Sequence, residues 1–442
     1  MANPIPNLFK VPELKEKILF TLMVLLIYRL GAHITAPGIN FVALQEAFKS
    51  FQGTLLGVYD LFVGGALSRA TVLSLGIMPY ISASIMFQLL AAVFPTVEKM
   101  QKEGEDGRKK LTQWTRYATV VLAFVQGYGY AVFLRSLNSQ QPGIVQNSGV
   151  LFLFSTALIL TFGAVFVMWL GEQITERGIG NGMSLLIFFS IVEGFPQGIG
   201  RTYELYATDV IGIFQVIALG AVMIAIIAGV VAMTMAARKI PVQIPRKVMG
   251  RGRVREGQKS FIPLRINSAG VMPIIFAQSI IVIPGTVAQF SGIGGLQGIA
   301  NALQPGSWLY TVLYAALILF FTYFYTAIIF NPVDLAENLK KQGGFIPGVK
   351  PGTRTAEYID FVLSRVTIAG AIYLTIIALL PFWIINAFGV QGAFYFGGTS
   401  LLIVVGVALD TVQQMQQHLL LRHYEGFMKK GRVRFRGRQR YM

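Results

Sequence analysis

Ten mostly apolar runs recur along the chain, near 18–33, 72–94, 117–136, 150–170, 183–200, 211–235, 268–288, 308–330, 366–387 and 397–420. About 20 such residues suffice to cross a bilayer as a helix. Hydrocarbon offers no partner to backbone N–H and C=O groups, so each run must close its own hydrogen bonds. The expectation is an all-α membrane protein with ten transmembrane helices. Composition agrees: 54% of the 442 residues are hydrophobic and 13% charged, against about a quarter charged in a soluble domain. An ordinary soluble enzyme and a disordered scaffold are thereby excluded. Cysteine is absent, which excludes disulfides, thiolate nucleophiles and cysteine metal sites. Lys10, Lys15 and Lys17 ahead of the first run resemble a signal-peptide n-region. No clear small-residue cleavage site follows, so the run is read as a retained span.

Charge sets the orientation. With the N-terminus in the cytoplasm, that side holds the N-tail (1–17), the loops near 95–116, 171–182, 236–267 and 331–365, and the basic tail (421–442). These segments carry 32 of the 37 Lys and Arg, and 15 of the 20 Asp and Glu when Asp410 is counted at the cytoplasmic end of the last span. The whole net charge of +17 therefore lies inside, as the positive-inside rule requires. Orientation alone accounts for most loop charges. Loops 236–267 and 331–365 are larger than orientation needs, and their Gly, Pro, Arg and Lys content suggests exposed docking surfaces.

Two strings recur across the chain. Gly76-Ile77-Met78-Pro79-Tyr80-Ile81-Ser82-Ala83 in the second span returns as Gly270-Val271-Met272-Pro273-Ile274-Ile275-Phe276-Ala277 in the seventh, and Gly182-Met183-Ser184-Leu185-Leu186-Ile187 in the fifth returns as Gly398-Thr399-Ser400-Leu401-Leu402-Ile403 in the tenth. The unit is thus five spans long. An odd unit starts its second copy on the opposite side, giving an inverted pair, 18–205 and 206–420, with any functional path at the interface between them. The matches pair Ile81 with Ile275 and Ile187 with Ile403; Ile77 and Met183, each four residues earlier, share a helix face with Ile81 and Ile187. Six such side chains could ring an axis and close a conduit by dewetting. Isoleucines at this spacing are ordinarily packing residues, and spacing alone favours that plainer reading.

The spans hold almost no midplane charge, whereas transporters commonly carry Asp, Glu, Lys or His there. No HExxH, nucleophile-elbow or GxxxxGK[ST] string appears, so neither catalysis nor nucleotide hydrolysis is expected, and no metal or cofactor. Ser82, Ser84, Gln88, Gln126, Asn267, Gln278 and Ser279 are modestly polar residues whose default role is hydrogen bonding across helices. Several lie on the repeated second and seventh spans, and a seam so bonded, without salt bridges, could open sideways. Between the first two spans, Tyr59-Asp60-Leu61-Phe62-Val63-Gly64-Gly65-Ala66-Leu67-Ser68 is too short to cross. It is an interfacial turn or a re-entrant segment surrounded by protein.

The strings Gly64 to Ala70, Gly76 to Ile85, Gly171 to Gly182, Tyr325-Thr326-Ala327, Phe330-Asn331-Pro332, Phe345 to Gly348 and Tyr395 to Ser400 together resemble the SecY family, the pore-forming subunits of the bacterial Sec protein translocase. The resemblance runs from about residue 10 to 428. It implies two inverted five-helix halves around a central hourglass pore that passes unfolded secretory polypeptides and releases hydrophobic segments laterally into the bilayer. By position, Ile77, Ile81, Met183, Ile187, Ile275 and Ile403 correspond to the pore ring, and Tyr59 to Ser68 to the plug. Spans two, three, seven and eight correspond to a lateral gate, with Ser82, Gln126 and Asn267 in its polar cluster. The two large loops correspond to docking sites for the SecA ATPase and the ribosome, through Arg246, Lys247, Arg251, Arg253, Arg255, Lys350 and Arg354.

Further partners implied by the resemblance are SecE and SecG subunits, with signal sequences and nascent secretory chains as cargo. The implied location is the bacterial inner (plasma) membrane, both termini cytoplasmic. Lys350 stands where the family typically has Arg, keeping charge but losing the bidentate fork. Met183 replaces a β-branched residue, which makes a ring more pliable. Arg432, Arg434, Arg436, Arg438 and Arg440 suit phosphate contacts with ribosomal RNA or anionic lipid, or a solvated topology-fixing tail. An inverted-repeat secondary solute transporter is the main rival, disfavoured by the missing midplane charges.

Overall fold

The computed structural model describes residues 12–51, 54–243, 247–249, 253–255, 259–290, 298, 302–388 and 398–430. Arg246, Arg251 and the five tail arginines from Arg432 to Arg440 lie outside the described residues. The first half holds α1 (Pro12–Gly31), α2 (Phe41–Phe48), α3 (Leu55–Phe62), α4 (Met78–Val93), α5 (Pro95–Lys102), α6 (Glu105–Gln140), α7 (Val150–Arg177) and α8 (Gly182–Ala207). The second holds α9 (Ile213–Met235), strands β1 (Ala237–Gln243), β2 (Lys247–Met249), β3 (Arg253–Arg255) and β4 (Lys259–Arg265), then α10 (Met272–Phe290), α11 (Trp308–Ile329), α12 (Pro332–Lys341), α13 (Thr353–Phe388) and α14 (Gly398–Lys430).

A helix coincides with each of the ten apolar runs. Among the described residues seven helices, α6, α7, α8, α9, α11, α13 and α14, are long and apolar enough to span by themselves, and α4 with α5 makes an eighth, bent by 110°. The bend has a local cause: Pro95 drives Phe94 into extended backbone (φ −102°, ψ 115°) and stops α4 there. The apolar part of α10 is shorter (Met272–Ala288), and α1 begins at Pro12, inside the expected cytoplasmic tail.

The second and seventh runs become helical only at Met78 and Met272; residues 72–77 and 268–271 are turns. Each turn ends through a left-handed glycine, Gly76 at φ +53° and Gly270 at φ +64°. A proline in the first turn then starts the helix, where its missing N–H is harmless. Likewise α8 starts at Gly182 and α14 at Gly398. Both recurring strings thus mark helix starts in both halves.

The two halves also pack alike. In the first, α4 lies on α6, α6 on α7, α7 on α8 and α1 on α7; in the second, α10 lies on α11, α11 on α13, α13 on α14 and α9 on α13. Each pair has its counterpart five spans later, as an internal repeat demands. One loop departs from the all-helical expectation. Within it, at 236–267, lie two antiparallel strand pairs, β1 on β4 from Ala237↔Arg265 to Gln243↔Lys259, and β2 on β3 from Lys247↔Arg255 to Met249↔Arg253. Alternation directs it: Ile240 and Val242 point inward and are buried with Leu264.

Candidate functional site

The halves meet through α4 against α10 and α8 against α14, the helices that carry the recurring strings, and α10 also touches α6 and α14. Between them sits α3, which touches α8 of the first half and α10 of the second. Ile77, Ile81, Ile187, Ile275 and Ile403 are each at most 5% exposed and belong to one apolar cluster, against which half-buried Met183 packs. The same cluster takes in Leu55, Leu56, Tyr59, Phe62, Val63, Ala66 and Leu67. The non-spanning segment thus lies in protein rather than at an open interface, and it begins as a helix.

Several bonds fix that segment. Gly64 (φ +67°) and Gly65 (φ +71°) reverse the chain after α3, a path closed to most side-chain-bearing residues. Asp60 accepts from the Ser68 backbone N–H at 2.9 Å, closing the reversal. Tyr59 donates to the Leu75 carbonyl at 3.0 Å, and fully buried Tyr130 of α6 donates to the Leu67 carbonyl at 2.6 Å. Burial of the Asp60 carboxyl pushes its pKa above the ordinary carboxylate range, against the lowering effects of Ser68 and the Arg69 charge. Leu61 and Ser68 are half-buried, and with Asp60 they line a cavity of about 150 Å³ against α8.

The polar residues of the seam behave differently from the expectation of cross-helix bonding. Ser82 donates to the Met78 carbonyl (2.8 Å) and Ser279 to the Ile275 carbonyl (2.8 Å), each within its own helix. Gln88 donates to Ser84 one turn back (3.1 Å). Buried Gln126 Oε1 and Asn267 Oδ1 have no hydrogen-bond partner among the described residues. A cross-helix bond does run from Tyr310 of α11 to Gln278 of α10, at 3.4 Å. Hydroxyls facing such short-range acceptors are satisfied locally and add nothing between helices. The Gln88 side chain also hydrogen-bonds Tyr325 of α11, so apolar packing is joined by a polar link between α4 and α11.

Charge pairs lie beside it. Arg116 of α6 donates through Nε and Nη2 to both carboxylate oxygens of Glu172 on α7, at 2.8 and 2.9 Å. Arg29 of α1 pairs with Glu193 of α8. Glu193 was not singled out in the sequence although it lies inside the fifth span, 183–200; a lone acid within a helical apolar stretch is the signal that could have marked it.

The two large loops form one unit. Gln243 of β1 and Phe345 exchange backbone hydrogen bonds of 2.9 Å in both directions, and Ile240, Val242 and Leu264 bury against Ile346 and Ile359. Lys350 is exposed in the turn before α13, and Arg354, also exposed, pairs with Glu357 at 3.1 Å. Lys247 lies on β2, with Arg253 and Arg255 opposite on β3.

Comparison with known proteins bears on this arrangement. A family model described as SecY matches residues 71–412. The protein translocase subunit SecY of Pseudomonas aeruginosa is 47% identical over 426 residues, covering 96% of this chain and 95% of the relative. That of Aquifex aeolicus is 45% identical over 432 residues, covering 97% and 100%. Among solved structures, "The structure of a protein conducting channel" superposes with a TM-score of 0.66 at 20% identity, covering 94% of this chain and 97% of that one. "The plug domain of the SecY protein stablizes the closed state of the translocation channel and maintains a membrane seal" gives a TM-score of 0.64, 20% identity and the same coverages. "Sec61 in the Canine ribosome-channel complex from the endoplasmic reticulum" gives 0.61 at 18% identity, with coverages of 94% and 97%. With nearly its whole length aligned to such relatives, this chain belongs to the SecY family.

Proposed function

We propose that this chain is the channel of a protein translocase, conducting unfolded polypeptides across a membrane and letting apolar segments leave sideways into lipid. One observation carries the reading: two similarly packed halves meet at α4–α10 and α8–α14 around a short, buried, non-spanning helix. Full-length similarity to translocase subunits favours this over the inverted-repeat solute transporter.

Ile77, Ile81, Met183, Ile187, Ile275 and Ile403 form the pore ring, and Tyr59 to Ser68 the plug. Their burial in one apolar cluster supports both assignments. A resting seal of this kind excludes water by dewetting, and a travelling chain displaces it. Spans α4, α6, α10 and α11 form the lateral gate, with Ser82, Gln126 and Asn267 on its seam. An apolar segment in the pore partitions through the parted seam, favoured by about 0.3–0.6 kcal/mol per Leu, Ile, Phe or Val at the helix centre. Polar stretches gain nothing there and continue across.

Work comes from outside the chain. The joined ribbon and α12–α13 loop, with Lys247, Arg253, Arg255, Lys350 and Arg354, is the docking face for the SecA ATPase and for the ribosome, anionic ribosomal RNA included. SecE and SecG complete the complex, which sits in the bacterial inner membrane with both chain termini in the cytoplasm; the charge distribution supports that orientation. The test is a stalled secretory chain and photocrosslinkers placed at Ile81, Ile187, Ile275 and Ile403. Crosslinks from all four positions support a shared axis; crosslinks to lipid alone overturn it. Solute uptake driven by a proton gradient, with secretion unaffected, would establish the rival.

A further inference from the structure

The first span, the fifth span and the segment between the first two spans converge on one charged corner. Tyr28 and Arg29, adjacent on α1, engage Ser190 and Glu193, three residues apart and so on one face of α8. The Tyr28 and Ser190 hydroxyls are 2.9 Å apart, and Arg29 pairs with Glu193. Gly64 presses into the same place: a methyl group there would come within 3.2 Å of Glu193 Oε2 and 3.4 Å of Ser190 Cα. At the far end of the segment Arg69 donates to His33 Nε2 at 3.2 Å, while His33 Nδ1 lies 3.0 Å from the Arg29 carbonyl. Nδ1–H donates to that carbonyl, which leaves Nε2 as the acceptor for Arg69. The 150 Å³ cavity beside them is lined by Asp60, Gly64, Arg69 and Glu193.

We propose that Glu193, paired with Arg29, is a positioning residue that latches the plug against the wall of the first half. Side-chain exposures of 13% for Glu193 and 30% for Arg29 put the pair in a partly dehydrated place. A charge there is costly alone and tolerable when paired. Neutralising Glu193 leaves Arg29 without its paired carboxylate, near the end of α1, just before the turn whose His33 already holds Arg69 at the plug's base. Arg29 and Arg69 then share the corner with Asp60 as the acid left beside them, and the side chain against which Gly64 is seated loses the charge that held it to Arg29. The latch acts on the plug and touches no travelling chain.

This inference rests on reading residues 59–68 as the plug, so the test separates the two. The full chain, purified in its complex, is placed in planar bilayers and its resting ion conductance measured for Glu193→Gln, Arg29→Gln, Glu193→Asp, the swap Arg29→Glu with Glu193→Arg, and a deletion of 59–68. A Leu61→Cys variant in each background, clean because the chain has no cysteine, reports plug seating by its rate of modification with a charged thiol reagent. Single neutralisations raise conductance and labelling by about fivefold or more, and the swap returns both to within about twofold of the parent. A purely structural role would lower thermal stability without that return. Glu193→Asp keeps the charge but retracts it, gives a smaller rise, and serves if Glu193→Gln does not fold. Parent-like conductance and labelling for every pair variant, while the deletion leaks, overturn the latch and leave the plug standing. A deletion that does not leak overturns the plug reading and the latch with it.

Discussion

Gly76 and Gly270 adopt the same left-handed backbone, φ +53° and +64°, each two residues before the methionine that opens a helix at the interface between the halves. Their surroundings differ. A Cβ on Gly76 would lie 2.6 Å from Val63 Cγ1, in the buried non-spanning segment, whereas on Gly270 the nearest atom would be Asp410 Oδ2 at 3.7 Å. Gly270→Ala therefore costs only the backbone strain, about 1 kcal/mol, while Gly76→Ala adds a steric term and costs about 2 kcal/mol or more. Thermal melts of the detergent-solubilised complex measure both, and equal losses would contradict the asymmetry.

Small polar substitutions test the seal. Ile81→Ser and Ile275→Ser each place a hydroxyl among apolar neighbours and let water wet the constriction. The expected outcome is a leaky resting conductance, several-fold above the parent, together with export of cargo bearing weakened signal sequences. Unchanged conductance and selection would remove these side chains from the ring.

Much of this was legible in the sequence, for physical reasons. Ten apolar runs announce helices because hydrocarbon forces them, and the recurring Gly-x-Met-Pro and Gly-x-Ser-Leu-Leu-Ile strings mark equivalent helix starts because glycine and proline have narrow local uses. What escaped depends on three-dimensional partners. Glu193 drew no notice inside the fifth span until α1 brought Arg29 to it. Ser82 and Ser279 read as cross-helix glue, yet a serine within a helix finds its own carbonyl four residues back at no entropic cost to a neighbour. The ribbon of 237–265 was hidden because half its alternating apolar residues bury only against Ile346 and Ile359, a hundred residues on.

Asp60 gives the segment 59–68 a pH dependence. Its folded pKa is raised by burial, so the folded state holds the proton more tightly than the unfolded chain does. That stabilisation is fully present below the ordinary carboxylate pKa and is lost as pH rises through the folded value. Packing of this segment is thus firmer under acid conditions. Asp60→Asn keeps an acceptor for the Ser68 N–H, removes the buried charge, and flattens the pH profile of melting above the ordinary carboxylate range. A profile that keeps the parent's slope would show that Asp60 is not its source.

Arg116→Lys separates charge from geometry where α6 packs on α7. The guanidinium forks across both oxygens of Glu172, which an ammonium cannot do. The Arg116 side chain is 42% exposed, so solvent screens the pair and the loss is about 0.5–1 kcal/mol. A double-mutant cycle with Glu172→Gln measures it, and a coupling near zero would make the fork ornamental.

The loops 236–267 and 331–365, far apart in sequence, share a core. Ile240 is 2% exposed and packs in the small cluster with Leu264, Ile346 and Ile359. Ile240→Ala opens a cavity there and costs the local unit about 2–4 kcal/mol. Because Gln243 and Phe345 are joined by paired backbone bonds, the damage passes from the ribbon to the turn that presents Lys350. Motor-driven translocation therefore falls in Ile240→Ala although no charge has changed, and hydrogen exchange speeds up in 345–350 as well as in 237–243. Lys350→Arg restores the bidentate fork at an exposed position and strengthens coupling to an acidic partner without touching stability. Faster exchange confined to the ribbon would mean that the two loops dock independently.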